Sequence, residues 1–204
     1  MTITTGTARL AALQMGSRAT TAETLDALMA RRDELKAARP DLLVLPEALL
    51  GGYPKGADFG VRLGYRTPAG RDAFRRYWEQ AIELDGPEVA ALAELAGDLG
   101  TTLVSGAIVR EGATLQCAAL HFTPDGRFAG HRRKLMPTAA ERLVWGQGGA
   151  ADVQVFDSPV GRIGPVICWE NYMPLFRAAL YEKGITLWAA PTVDERPQWE
   201  MTMR

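Results

Sequence analysis

Short apolar runs alternate with longer amphipathic segments along this chain, and that alternation restricts the fold more than any other feature. Residues 8–15 and 42–45 are largely apolar at consecutive positions, which predicts buried strands covered on both faces. Between them, residues 20–38 carry Leu25, Leu28, Met29 and Leu35 on one helical face behind a capping box of Thr20 with Glu23. Helices are also expected at 71–84 and at Pro87–Leu99, the second with Val89, Leu92, Leu95, Ala96 and Leu99 on one face and Gly100 as its stop. Residues 102–109, Thr114–Phe122 and a run toward His131 predict antiparallel strands around the turns Glu111-Gly112 and Pro124-Asp125-Gly126. Strands at 154–156 and 162–167, a helix at 173–183 and a strand at 186–190 complete the order. The pattern predicts a mixed α/β (α+β) fold in which one or more sheets are covered by helices. With no repeat, low-complexity tract or linker, it also predicts one domain over 1–204.

Charge and cysteine usage narrow the function. Lys plus Arg number 23 against 24 Asp plus Glu, so nothing argues for nucleic acid or an anionic membrane surface. A small molecule or another protein is the expected partner. No run approaches the roughly 18 apolar residues of a membrane span, and Met1-Thr2-Ile3-Thr4-Thr5 has neither a basic region nor an apolar stretch. Cys117 and Cys168 are too few for a disulfide framework, which points to the reducing cytoplasm. Only His121 and His131 could serve as imidazole ligands and no acid–histidine cluster surrounds them, so no metal site is expected.

Three ionisable residues stand at the ends of expected elements. Val166-Ile167-Cys168 is a β-prone run that ends in a thiol, with Trp169-Glu170-Asn171-Tyr172 and a helix behind it. A thiol on such a turn is held rigidly, and the N–H groups of a following helix favour its thiolate. A cysteine in this setting also serves as a small buried hydrophobe, and Cys117, in mid-strand, reads as packing alone. Glu47 follows Leu45-Pro46 at a strand end, and Lys134 lies in the basic run Arg132-Arg133-Lys134. A glutamate, a lysine and a cysteine brought together form a working set of proton acceptor, charge stabiliser and nucleophile. The glycine-rich loop 51–68 is the kind of segment that shapes a binding site.

With these residues in view, the chain resembles the nitrilase or carbon–nitrogen hydrolase superfamily, and within it the nitrilase branch. The blocks LLVLPEALLGGYPKG (42–56), HRRKLMPTAAERLVWGQG (131–148) and GRIGPVICWENYMPLFRAALYEKGI (161–185) carry the resemblance, and APTVD (190–194) extends it. The resemblance implies a four-layer α-β-β-α sandwich in which Glu47 is the general base, Lys134 the charge stabiliser and Cys168 the nucleophile. Glu141 matches a second family glutamate that positions the lysine or the substrate, with a surface acid beside Arg142 as the alternative. The Trp169 N–H is a second donor to developing charge. Tyr53, Trp145, Trp169 and Tyr172 either line a substrate pocket or belong to the core.

The implied reaction turns a nitrile and water into a carboxylic acid and ammonia through a cysteine thioimidate and a thioester, with no metal or organic cofactor. The implied assembly is a homo-oligomer. Two departures bear on this. Gln147-Gly148-Gly149-Ala150-Ala151 replaces the usual acidic turn, and the chain stops at Arg204, where nitrilases continue. Missing C-terminal elements are expected to leave strand edges unpaired and apolar surface exposed. Two alternatives stand beside nitrile hydrolysis: an amidase or carbamoylase of the same superfamily, and a truncated, non-catalytic scaffold in a hetero-oligomer.

Overall fold

The computed structural model describes residues 7–62 and 64–203, and its strands form two sheets. The first has the order β1 (Leu10–Ala12), β2 (Leu42–Val44), β3 (Thr102–Glu111), β4 (Thr114–Phe122), β5 (Phe128–Arg133). β1, β2 and β3 run parallel, and β3, β4 and β5 form an antiparallel meander. The second sheet pairs β6 (Phe156–Ser158) antiparallel with β7 (Gly161–Pro165), and β7 parallel with β8 (Leu187–Ala189) across the helix α5 (Pro174–Glu182).

Three apolar clusters stack these elements into α-β-β-α layers. Helices α1 (Thr21–Met29), α2 (Arg32–Ala38) and α4 (Pro87–Leu99) set Leu28, Leu35, Leu92 and Leu95 against Leu43, Leu103, Leu120 and Phe122 of the first sheet. Between the sheets, Val104, Ile108, Cys117 and Ala119 meet Ile163, Ile167 and Ala189. Phe176 and Leu180 of α5 cover Val166 on the far side. β3 shows why its run had to be apolar throughout. Leu103, Ala107 and Val109 point to the helices, whereas Val104 and Ile108 point to the second sheet. α3 (Pro68–Gln80) brings Phe74, Tyr77 and Trp78 against the inter-sheet cluster.

Several boundaries differ from the sequence pattern. The capping box of Thr20 and Glu23 is formed, but the helix expected over 20–38 divides where Arg31 N–H bonds Leu28 O three residues back. β1 is a short outer strand instead of a buried one: Ala11 and Leu13 pack on the helix-side cluster, while Leu10 is 56% exposed. α3 starts earlier than expected because Thr67 caps it and Pro68 opens it. β6 begins two residues late, with Ser158 still in the ladder and Pro159-Val160 as the turn. A sixth helix, α6 (Pro197–Met203), anchored by the buried Trp199, was not foreseen.

Candidate active site

Glu47 is delivered by the end of β2. Leu45 N–H bonds Val104 O at 2.8 Å and Gly106 N–H bonds Pro46 O at 3.1 Å, so the chain stays against β3 after the strand has ended. Gly106 makes that approach possible: a Cβ there would lie 2.2 Å from Pro46 O and 2.6 Å from Glu47 Cα. Lys134 follows β5, with its N–H on Cys117 O at 2.7 Å and its carbonyl accepting from Gly148 N–H at 2.8 Å. Glu141 lies on a 3₁₀ turn (Ala139–Leu143) that it caps itself, accepting from Thr138 N–H at 2.6 Å. Cys168 follows β7, where Val166 N–H bonds Ala189 O and Cys168 N–H bonds Pro191 O. Its φ of +50° is the sharp left-handed elbow that lifts the thiol out of the strand direction.

The four groups converge. The Lys134 ammonium donates to Glu47 Oε1 at 2.7 Å and to Glu141 Oε2 at 2.8 Å, and it stands 5.6 Å from the centre of the Trp145 ring. Tyr53 O–H donates to Glu141 Oε1 at 2.7 Å, and Val193 N–H donates to Glu47 Oε2 at 3.2 Å. Cys168, Glu141, Tyr53, Val144 and Trp169 line one cavity of about 540 Å³. Glu47 and Lys134 are buried behind it, at 2% and 0% exposure, and reach its wall through the Lys134–Glu141 ion pair.

Burial dominates the proton affinities. It raises the Glu47 carboxyl above the ordinary glutamate range, with the Lys134 charge opposing. Burial works against the Lys134 charge, yet the Glu47 and Glu141 carboxylates outweigh it and hold the ammonium protonated. The Cys168 thiol is pushed up to about 12, first by burial and then by the Glu47 carboxylate. This corrects the expectation of a helix-stabilised thiolate: α5 begins only at Pro174, and a 3₁₀ turn (Cys168–Tyr172) separates it from the thiol. The thiol therefore rests as S–H beside the Lys134 ammonium.

Of the aromatic residues, Tyr53 and Trp169 line the cavity. Trp145 is core, 2% exposed beneath Lys134, with its indole N–H on Tyr77 Oη at 2.8 Å. Tyr172 turns away from the cavity to bond Thr202 Oγ1 at 2.7 Å. Trp169 N–H occupies the second position of the 3₁₀ turn, where a helical amide has no intrahelical acceptor. Cys117 is more than packing, since its thiol donates to Glu47 Oε1 at 3.8 Å. The register of β4 with β5 could have revealed it, because Ala118 pairs with Arg133 and so sets Cys117 beside Lys134. His121 and His131 stack on Phe156 and Phe128, away from this site. Among the described residues no group of three or more metal-ligating side chains could hold an ion, and no helix is long and apolar enough to cross a membrane.

The sequence profile of the carbon-nitrogen hydrolase family matches residues 9–204. The chain belongs to that family. Among curated carbon-nitrogen hydrolases, it is 53% identical to nitrilase 2 of Arabidopsis thaliana over 163 residues, which is 80% of this chain and 48% of that protein. It is 52% identical to an aliphatic nitrilase of Sinorhizobium fredii over 171 residues, covering 84% of this chain and 55% of that one. The chain thus spans about half the length of the curated relatives it matches. An amidase from Nesterenkonia sp. superposes with a TM-score of 0.70 at 19% identity, covering 95% of this chain and 68% of its own, a likeness of fold.

Proposed function

We propose that this carbon-nitrogen hydrolase converts nitriles to carboxylic acids and ammonia, with Cys168 as nucleophile, Glu47 as general base and Lys134 as charge stabiliser. The observation that carries the reading is an ammonium bridging two buried carboxylates, one of which, Glu141, lines the same cavity as Cys168. The nitrilase names of relatives at 52–53% identity favour nitriles over amides.

With the thiol at about 12, the thiolate fraction at pH 7 is about 10⁻⁵, so attack and proton transfer to Glu47 are coupled. The sulfur adds to the nitrile carbon, and the nitrogen takes the proton from Glu47 to give a neutral thioimidate. Water, losing a proton to Glu47, adds to that carbon. Glu47 returns that proton to the nitrogen, the new hydroxyl gives up its own proton to the same nitrogen as it becomes a carbonyl, and the C–N bond breaks with release of ammonia, leaving a thioester. A second water, deprotonated by Glu47, adds to the thioester and expels the sulfur, which takes the proton back from Glu47, yielding the acid and the free thiol. Lys134 stabilises negative charge as each tetrahedral centre forms. Glu141, tied to Tyr53, Thr138 and Lys134, holds the ammonium in position.

Ammonia release from simple aliphatic and aromatic nitriles, measured beside the matching amides, tests the reading. Wild type is expected to act on nitriles and Cys168→Ala to fall to background. Equal background release by both, in preparations with native circular dichroism, overturns it.

A further inference from the structure

We propose that the buried Arg132–Glu170 pair is a positioning clamp that sets the Lys134 ammonium against the Cys168 thiol, an inference that rests on the roles assigned to those two residues above. Arg132 lies two residues before Lys134 and Glu170 two residues after Cys168. Both side chains are fully buried, and they meet fork to fork, Nη1 to Oε2 and Nη2 to Oε1, at 2.6 Å each.

The remaining bonds of the pair show what it holds. Oε1 also accepts from Leu135 N–H at 2.6 Å and Oε2 from Ile167 N–H at 2.7 Å. One carboxylate therefore joins the amide just after Lys134 to the amide just before Cys168. Arg132 spends its other three N–H groups on Asp152 O, Pro165 O and Arg133 O, so all five donors of the guanidinium are used. Pro165 ends β7 and Arg133 ends β5, the two strands that carry the thiol and the ammonium.

A buried ion pair is a poor device for stability alone, because apolar residues of the same volume hold a core as well. A bidentate pair instead fixes direction and distance. Cys168 needs that constraint, since a non-glycine residue at φ +50° persists only where its surroundings over-determine it. Neither Arg132 nor Glu170 lines the cavity, so both act through Lys134 and Cys168.

The test compares Glu170→Gln and Arg132→Lys with Leu92→Ala, a truncation in α4 that lowers stability away from the site. Three quantities are read: Tm, the kcat and KM for a nitrile, and the rate of Cys168 alkylation by iodoacetamide from pH 6 to 10, mapped by mass spectrometry. Displacement of the thiol from Glu47 is expected to lower kcat about 100-fold and alkylation at pH 7 roughly tenfold in both clamp variants, with KM within about threefold. Leu92→Ala, with an equal or larger loss of Tm, is expected to keep both rates within about twofold. A folded clamp variant with wild-type kcat and alkylation overturns the proposal. So does loss of the fold in both variants, because the pair is then structural. A wild type that alkylates as described but releases no ammonia from nitriles sinks the nitrile reading and leaves the clamp to stand or fall on the alkylation result.

Discussion

Lys134→Met isolates the electrostatics of the site. The substitution keeps most of the apolar stem and removes the one cation that Glu47 and Glu141 share at 2.7 and 2.8 Å. The two carboxylates then face each other across at most about 5.5 Å, which at an effective dielectric of about 20 is a repulsion of about 3 kcal/mol. Breaking a buried ion pair costs about 3–5 kcal/mol in general, so a loss of that size is expected at pH 8. A repulsion of about 3 kcal/mol raises one carboxyl by about two pH units, so the folded variant takes up a proton that the unfolded chain does not. Where the folded state binds more protons, stability rises as pH falls. The gap between wild type and variant should therefore narrow by about 2 kcal/mol between pH 8 and pH 5. Guanidinium unfolding of both proteins at each pH measures it, and kcat should fall about 10²- to 10³-fold at every pH. A gap that stays constant or widens on acidification would show that the carboxylates are not coupled through Lys134.

Glu47→Gln should lower kcat about 10²- to 10⁴-fold. The wild-type kcat profile should fall on acidification through a pKa above the ordinary glutamate value, and the variant should lack that limb. Gly106→Ala forces a methyl group into Pro46 O and should cost about 3 kcal/mol in urea unfolding while displacing Glu47. A variant with wild-type stability and rate would refute the close-approach argument. His121 is 1% exposed, stacked on Phe156, with neither ring nitrogen hydrogen-bonded and its pKa held down to about 4 by burial. The unfolded imidazole binds its proton near 6.5, so stability should fall by about 3 kcal/mol as pH drops from about 6.5 to about 4. His121→Phe should flatten that slope, and an unchanged slope would assign the acid sensitivity elsewhere.

Much of the fold was legible because burial on two faces leaves a one-dimensional trace. The apolar runs of β2, β3 and β4 and the stripe of α4 announced strands and a helix at nearly their observed bounds, since both faces of each central strand pack on something. The same logic failed at the periphery. β1 is apolar in sequence yet exposed on one side, and α6 depends on the docking of Trp199, so neither burial was written in local pattern. Glu47, Lys134 and Cys168 were legible as chemistry-bearing residues at element ends, and the four-layer fold as what the resemblance implied.

Residue types and their spacing determined by themselves which groups could react and on which kind of element each would lie. Tertiary structure alone decided their state. A lone thiol at the turn suggested a ready thiolate, but burial beside the Glu47 carboxyl pushes it up to about 12 and leaves it as S–H. The contact between Arg132 and Glu170 likewise emerged only in three dimensions, where the two meet from 38 residues apart. The physical reason is that periodicity records which side of an element is buried, whereas proton affinity and hydrogen-bond partnership depend on what the neighbouring layer brings to that side.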